Sequence, residues 1–241
     1  MITKHRTKGF IFKKTDRAEV DRVYSVFTED YGRLEVFGKA IRKINSKLKS
    51  GIDIFYFSEV EFIQGKSNRT LTGAVKLKNF NGIIKDFEKT KVAHKISNTL
   101  DVFLKGQEKD GKIFSLIDEV YSKLNDSTLS HEHCALLYYY FFWNFLSLLG
   151  YHPQVVKCAE CFGVLDQEKL YFSDKDGGVI CGNCFNINKN AIGVNADFVK
   201  ILRLILKKDW QVLSRLRVEE NLKKTIEDVS ESYFKYISPD K

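Results

Sequence analysis

Proline is nearly absent from this chain, with two in 241 residues, and methionine occurs once. No proline-rich linker, internal repeat or low-complexity tract interrupts it, and its 44% hydrophobic and 29% charged content is that of an ordinary globular protein. Cysteine is scarce, five residues in all, which excludes a disulfide-dense secreted scaffold; a chain this long folds without such staples. Long hydrophobic runs are missing too. The most apolar stretch, residues 135–149, is broken by Asn144 and is short for a bilayer. Residues 1–6 are polar and basic, unlike a signal peptide. These absences lead to the expectation of a soluble, cytoplasmic chain with no membrane partner. Catalytic signatures are also lacking: no Walker-type loop, no Gly-x-Ser-x-Gly, no His-Glu-x-x-His, and no carboxylate cluster suited to two magnesium ions. That weighs against an enzyme.

Four of the five cysteines stand in two hooks, Cys158-Ala-Glu-Cys161 and Cys181-Gly-Asn-Cys184, separated by nineteen residues. The spacing lies in the range of a four-thiolate zinc site. Two intervening residues let one tight turn aim both sulfurs at one ion, and the second turn completes a tetrahedron. The segment between must leave and return. Its sequence suits that, with a strand at 169–172, a polar turn at 173–178 and Val179-Ile180 entering the second hook. An iron–sulfur cluster, a redox dithiol pair and disulfides are the competing readings. Structural zinc is preferred, because all four positions are filled and none is left for water or substrate.

The net charge of +8 is unevenly placed. Residues 1–78 carry 17 Lys and Arg against 9 Asp and Glu, whereas residues 79–241 carry 22 of each. A basic domain joined to a neutral one is the pattern of a polyanion binder on a scaffold; a merely solubilising surface is the plainer alternative.

Period-two alternation and β-branched or aromatic residues predict five short strands in the first eighty residues, near 7–13, 20–28, 34–37, 54–63 and 71–77. Five strands in so short a span suggest a small barrel, and the OB-fold is the five-stranded barrel used for oligonucleotides. From residue 81 the periodicity becomes helical. Helices are expected over about 83–103, 113–124, 131–149, 198–206 and 222–234, with a short piece at 212–216. The run at 136–149 is apolar nearly all round and belongs at the centre of a helical domain. The fold class is therefore α+β. An OB-fold domain at 1–79 precedes an all-helical domain at 80–241 with a zinc insertion at about 155–190.

The best binding candidate is the loop at 38–51, where Lys39, Arg42, Lys43, Lys47 and Lys49 occur with no acid between Glu35 and Asp53. Cations on a barrel loop can contact several phosphates and give steep salt dependence. Lys4, Arg6, Lys8, Lys13 and Lys14 form a second basic strip, and Phe10, Phe12, Tyr24, Phe27, Tyr31 and Phe37 are interleaved. Exposed members of that set would stack bases, while buried ones would fill the barrel. His131-Glu-His133 is read as a helix start, not a metal site, and Cys134 as a small core residue.

The chain resembles the family of the bacterial DNA repair protein RecO. The matching residues are Thr7-Lys-Gly-Phe-Ile-Phe-Lys-Lys14, Tyr31-Gly-Arg33, Gly38-Lys-Ala-Ile-Arg42, and above all Leu148-Leu-Gly-Tyr-His-Pro153 leading into the two cysteine hooks. Two departures stand out: a glycine common in the family's basic loop is Ala40 here, and Phe162 intervenes before Gly163. The resemblance implies binding to single- and double-stranded DNA, with Lys39, Arg42, Lys43, Lys47, Lys49, Lys8 and Arg33 as contacts. It implies annealing of complementary strands and no cofactor-driven reaction. Cys158, Cys161, Cys181 and Cys184 would hold structural zinc. The implied partners are DNA, RecR, in some members RecF, single-stranded-DNA-binding protein, and indirectly RecA, which is helped onto coated strands. The alternative is a zinc-containing nucleic-acid enzyme such as a nuclease; a pure adaptor is a third reading.

Overall fold

A computed structural model describes residues 3–66, 68–187 and 189–238, and the chain divides into two compact units, residues 1–134 and 135–241. The first unit is built on five strands: β1 (Lys4–Arg17), β2 (Asp21–Thr28), β3 (Gly32–Gly38), β4 (Tyr56–Gln64) and β5 (Arg69–Asn79). They close in the order β1-β2-β3-β5-β4. All neighbours are antiparallel except β3 and β5, which pair in parallel at Val36 with Arg69 and Phe37 with Thr70. This is the OB arrangement expected from the sequence. Alternate residues point inward, so Ile11, Tyr24, Val26, Leu34, Val36, Val60, Phe62 and Leu71 form the barrel core. Ile41 and Ile52 join it from the long β3–β4 connection.

The opposite faces of β1 and β2 are covered as well. Helices α1 (Asn81–Ile84), α2 (Phe87–Phe103) and α3 (Gly111–Asn125) follow the barrel within the same unit. Phe10 on β1 lies 4.7 Å from Phe57 and 5.2 Å from Phe114 between ring centroids, with Phe80 and Tyr121 also within aromatic range. Phe10, Phe12, Tyr24 and Phe27 are all buried. Strands sandwiched between a barrel interior and helices lose the clean alternation of a half-exposed sheet. Burial pushes the Tyr121 phenol up to about 12. It likewise raises the Cys134 thiol, to about 11, in keeping with an inert core residue.

Helix α4 (His131–Leu148) crosses from the first unit into the second. His131 Nε2 contacts the Asp86 carboxylate at 2.9 Å, and His133 Nδ1 contacts Ser130 Oγ at 2.7 Å, so the two histidines face different partners. In the second unit α4 is buried from Leu136 to Leu146 except at the half-buried Tyr138. Trp143 stacks on Tyr233 at 5.3 Å and meets Phe172 edge-on at 5.6 Å, and its Nε1–H donates to Ser230 Oγ. Asn144, the polar break in the apolar run, donates to the carbonyls of Tyr140 and Ile205. Around it pack α6 (Ala196–Leu206), α7 (Trp210–Leu213) and α8 (Glu220–Ile237), together with a small sheet of β6 (Leu170–Ser173), β7 (Gly178–Cys181) and β8 (Ile192–Val194) in the order β7-β6-β8. Helix α5 (Gly182–Ile187) starts at the second hook. The short β8 has no sequence signal of its own; its three residues become a strand by pairing with β6. Among the described residues, no helix is long and apolar enough to cross a membrane.

Candidate metal centre and nucleic-acid surface

The two hooks meet. The sulfurs of Cys158, Cys161, Cys181 and Cys184 all lie within 4.8 Å of one another. Cys158 Sγ is 3.8 Å from Cys184 Sγ, and Cys161 Sγ is 3.9 Å from Cys181 Sγ. A metal–sulfur bond of about 2.3 Å gives a tetrahedron edge of about 3.8 Å. A disulfide needs about 2.05 Å, and all four cysteines are free. The hairpin β6–β7 brings the hooks together, pairing Leu170 with Cys181 and Ser173 with Gly178. In the first hook Phe162 turns through φ 60°, which lets the Gly163 carbonyl accept from Cys158 N–H at 2.9 Å. In the second hook β7 ends at Cys181 and Cys184 lies in the first turn of α5.

The electrostatics suit a cation. Burial opposes ionisation of Cys158, but N–H groups of Cys161, Cys181 and Glu160 aimed at its sulfur bring the thiol down to about 6. Cys184 is pushed well up by burial and by the neighbouring thiols. Four crowded thiolates repel unless a cation lies among them, so the donor set can hold a metal ion with every position closed. Ile180 and flanking apolar residues pack behind it, with Tyr171 and Phe185 stacked at 3.7 Å.

The expected nucleic-acid residues do not all gather. The β3–β4 connection lies over one end of the barrel, held by Ile41 and Ile52, while Lys39, Arg42, Lys43, Lys47 and Lys49 point to solvent. Apolar anchors and exposed cations alternate along it, so the loop is pinned and its charge displayed. Arg42 Nη1 is 3.4 Å from Asp16, which Arg22 also holds at 2.6 Å. The four lysines make no ion pair among the described residues. In the second basic strip, Lys4 and Arg6 pair with Glu61, Lys13 with Asp101 and Lys14 with Asp53. Lys8 remains exposed, but the register sets it beside Gly9–Thr28, at the far end of the strands from Gly38, about 20 Å away.

Arg33 stands apart from the displayed cations. Its guanidinium is largely buried, stacks over Phe12 at 5.3 Å, and donates to the carbonyls of Asp101 and Leu104 at 3.1 and 2.7 Å and to the Asp101 carboxylate at 2.8 Å. It therefore caps the C-terminus of α2 and fastens that helix to β3. Gly32 beside it has φ 63°, and a Cβ there would lie 2.3 Å from the Glu108 carbonyl. Tyr31-Gly-Arg33 is thus the seat of the α2–α3 connection. Arg69 and Lys105, which no charge run marks in the sequence, line a pocket beside it.

A closed five-stranded OB barrel with a pinned basic loop, followed by a helical region whose small sheet carries a four-thiolate centre, defines a class: barrel-and-helix proteins with a metal-ready cysteine hairpin. The Recombination protein O N terminal family matches residues 1–80, and the Recombination protein O C terminal family matches residues 84–238. The chain belongs to this RecO family. A "DNA repair protein RecO" of Dehalococcoides mccartyi is 31% identical over 222 residues, covering 92% of this chain and 86% of that protein. One of Caldanaerobacter subterraneus subsp. tengcongensis is 28% identical over 229 residues, covering 95% and 90%.

Proposed function

We propose that this chain is a recombination mediator in DNA repair. It holds single- and double-stranded DNA, lets complementary strands anneal, and helps a RecA-type recombinase onto strands coated by single-stranded-DNA-binding protein, working with RecR. Family membership supports the repair role. The observation that carries DNA binding is the pinned loop, which presents Lys39, Lys43, Lys47 and Lys49 outward on an OB barrel. Cations fixed on a rigid base meet a phosphate backbone with little ordering cost, and neutralising two backbones lets them approach. Arg42 contributes beside them, while Lys8 lies apart, about 20 Å along the strands. No bond is made or broken in this reading.

The four cysteines hold zinc in a structural role. The two sulfur–sulfur distances of 3.8 and 3.9 Å match edges of a zinc tetrahedron, and the closed set leaves the ion no position for chemistry. When bound, the ion supplies folding energy to the hairpin.

Annealing of complementary labelled oligonucleotides, with and without single-stranded-DNA-binding protein, tests the mediator role, with magnesium present throughout. Faster annealing of bare and coated strands without cleavage is expected. Cleavage of either strand, or no acceleration, rejects it.

A further inference from the structure

A pocket of about 420 Å³ opens where the barrel meets the α2–α3 connection, lined by Arg33, Glu35, Asn68, Arg69, Lys105 and Gln107. Its volume lies within the ~300–1,000 Å³ of small-ligand sites. Three cations face one lining carboxylate, and Glu35 is turned to Arg33 at 3.4 Å. The pocket is braced. Arg33 is locked onto the end of α2, and the Arg69 guanidinium donates to Gln107 Oε1 at 3.0 Å, joining the start of β5 to the connection. Arg69 makes no ion pair among the described residues. Two carboxamides, Asn68 and Gln107, supply donors and acceptors beside the positive charge.

The position fits nucleic acid. The pocket lies at the mouth of the β4–β5 loop and on the outward row of β3, the side of an OB barrel that generally meets oligonucleotides. The outward row continues from Arg33 and Glu35 to Phe37, which is half-buried, and then to Lys39 on the basic loop. No ring contact covers Phe37 among the described residues, so one face of the β3 row offers an aromatic shelf between two basic places.

We propose that this pocket binds one nucleotide unit by its phosphate, with Arg69 and Lys105 on the phosphate oxygens and the Asn68 and Gln107 amides toward sugar and base. That a DNA strand delivers the nucleotide rests on the function proposed above; the pocket itself does not. A strand then runs from the lysine loop across Phe37 into the pocket.

The test is an amide NMR titration of the whole chain with thymidine monophosphate, thymidine and inorganic phosphate, beside anisotropy measurements with a labelled oligothymidylate. Thymidine monophosphate is expected to shift the Asn68, Arg69, Lys105 and Gln107 amides, and phosphate to compete with it. Arg69→Ala combined with Lys105→Ala should weaken it about a hundredfold, the effect of losing two charge-assisted hydrogen bonds at about tenfold each. Arg69→Lys, which keeps the charge, should recover part of that loss. Shifts elsewhere only, thymidine bound as tightly as its phosphate, or an unchanged constant in the double variant overturns the pocket. A pocket that takes thymidine monophosphate in a chain that ignores the oligonucleotide keeps this inference and removes the DNA reading. Strands bound with the pocket silent do the reverse.

Discussion

Neutralising the four loop lysines should flatten the salt dependence of DNA binding without unfolding the barrel. The perturbation is Lys39→Gln, Lys43→Gln, Lys47→Gln and Lys49→Gln together. None of the four makes an ion pair among the described residues and all point to solvent, so each is available to a phosphate and none holds the fold. On a single strand each neutralised phosphate contributes about 0.7 to the slope of log K against log salt. Four contacts contribute about 2.8, so between 50 and 200 mM salt the loop accounts for about a 50-fold fall in affinity. The variant should lose that part of the slope. Arg42→Gln should change it less, because Asp16 already holds Arg42 at 3.4 Å. Exposed substitutions of this kind move stability by less than about 0.5 kcal/mol, and the anchors Ile41 and Ile52 are untouched. Anisotropy with a labelled oligonucleotide at five salt concentrations gives the slope, and a melting curve gives the control. A folded variant with the parent slope would refute the loop as the phosphate surface.

Arg33→Met should cost about 2–3 kcal/mol in urea denaturation, since it strands the Asp101 and Leu104 carbonyls at the end of α2 and leaves the Asp101 carboxylate to Lys13 alone. Burial works against the charged form of Asp101, but hydrogen bonds from Lys13 and Arg33 hold its folded pKa below the ordinary value. Its contribution is therefore full above the ordinary carboxylate range and lost as pH falls through the lowered value, and an acid titration of stability should show a smaller limb in the Arg33 variant, where Lys13 alone still holds the carboxylate. Metal analysis should find one zinc per chain; its removal by a chelator, or Cys158→Ser, should speed hydrogen exchange across residues 158–187 and leave the barrel amides protected. Ala40→Gly should stabilise the first unit by about 1 kcal/mol in thermal melts, because Ala40 sits at φ 52°, where a Cβ is strained.

Both departures from the family pattern fall on left-handed backbone, Ala40 at φ 52° and Phe162 at φ 60°. Glycine suits those positions for a conformational reason, and the turns persist without it. Ala40 is held by its N–H donating to Asp21 Oδ1 at 2.6 Å, and Phe162 by its N–H donating to the Cys158 carbonyl at 2.9 Å. The strand and helix positions were readable because hydrophobic period is a local property. Helical period over 83–103 predicts one helix, yet the segment is α1 and α2, because the Asp86 carboxylate accepts from Lys89 N–H and starts a new helix. The aromatics at Phe10, Phe12 and Phe27 left their face ambiguous, since period two separates faces without saying what covers them.

The sequence by itself determined the OB barrel, the helical surroundings of residues 136–149, and the pairing of two cysteine hooks, because alternation, helical period and ligand spacing all act over a few residues. Tertiary structure decided which cations are displayed and which are spent. Charge runs show where cations lie along the chain, but an ion pair depends on what the fold brings opposite: Asp101 reaches Arg33 and Lys13, and Asp53 reaches Lys14, across long stretches of sequence. Arg69 and Lys105 become neighbours only when β5 and the α2–α3 connection meet.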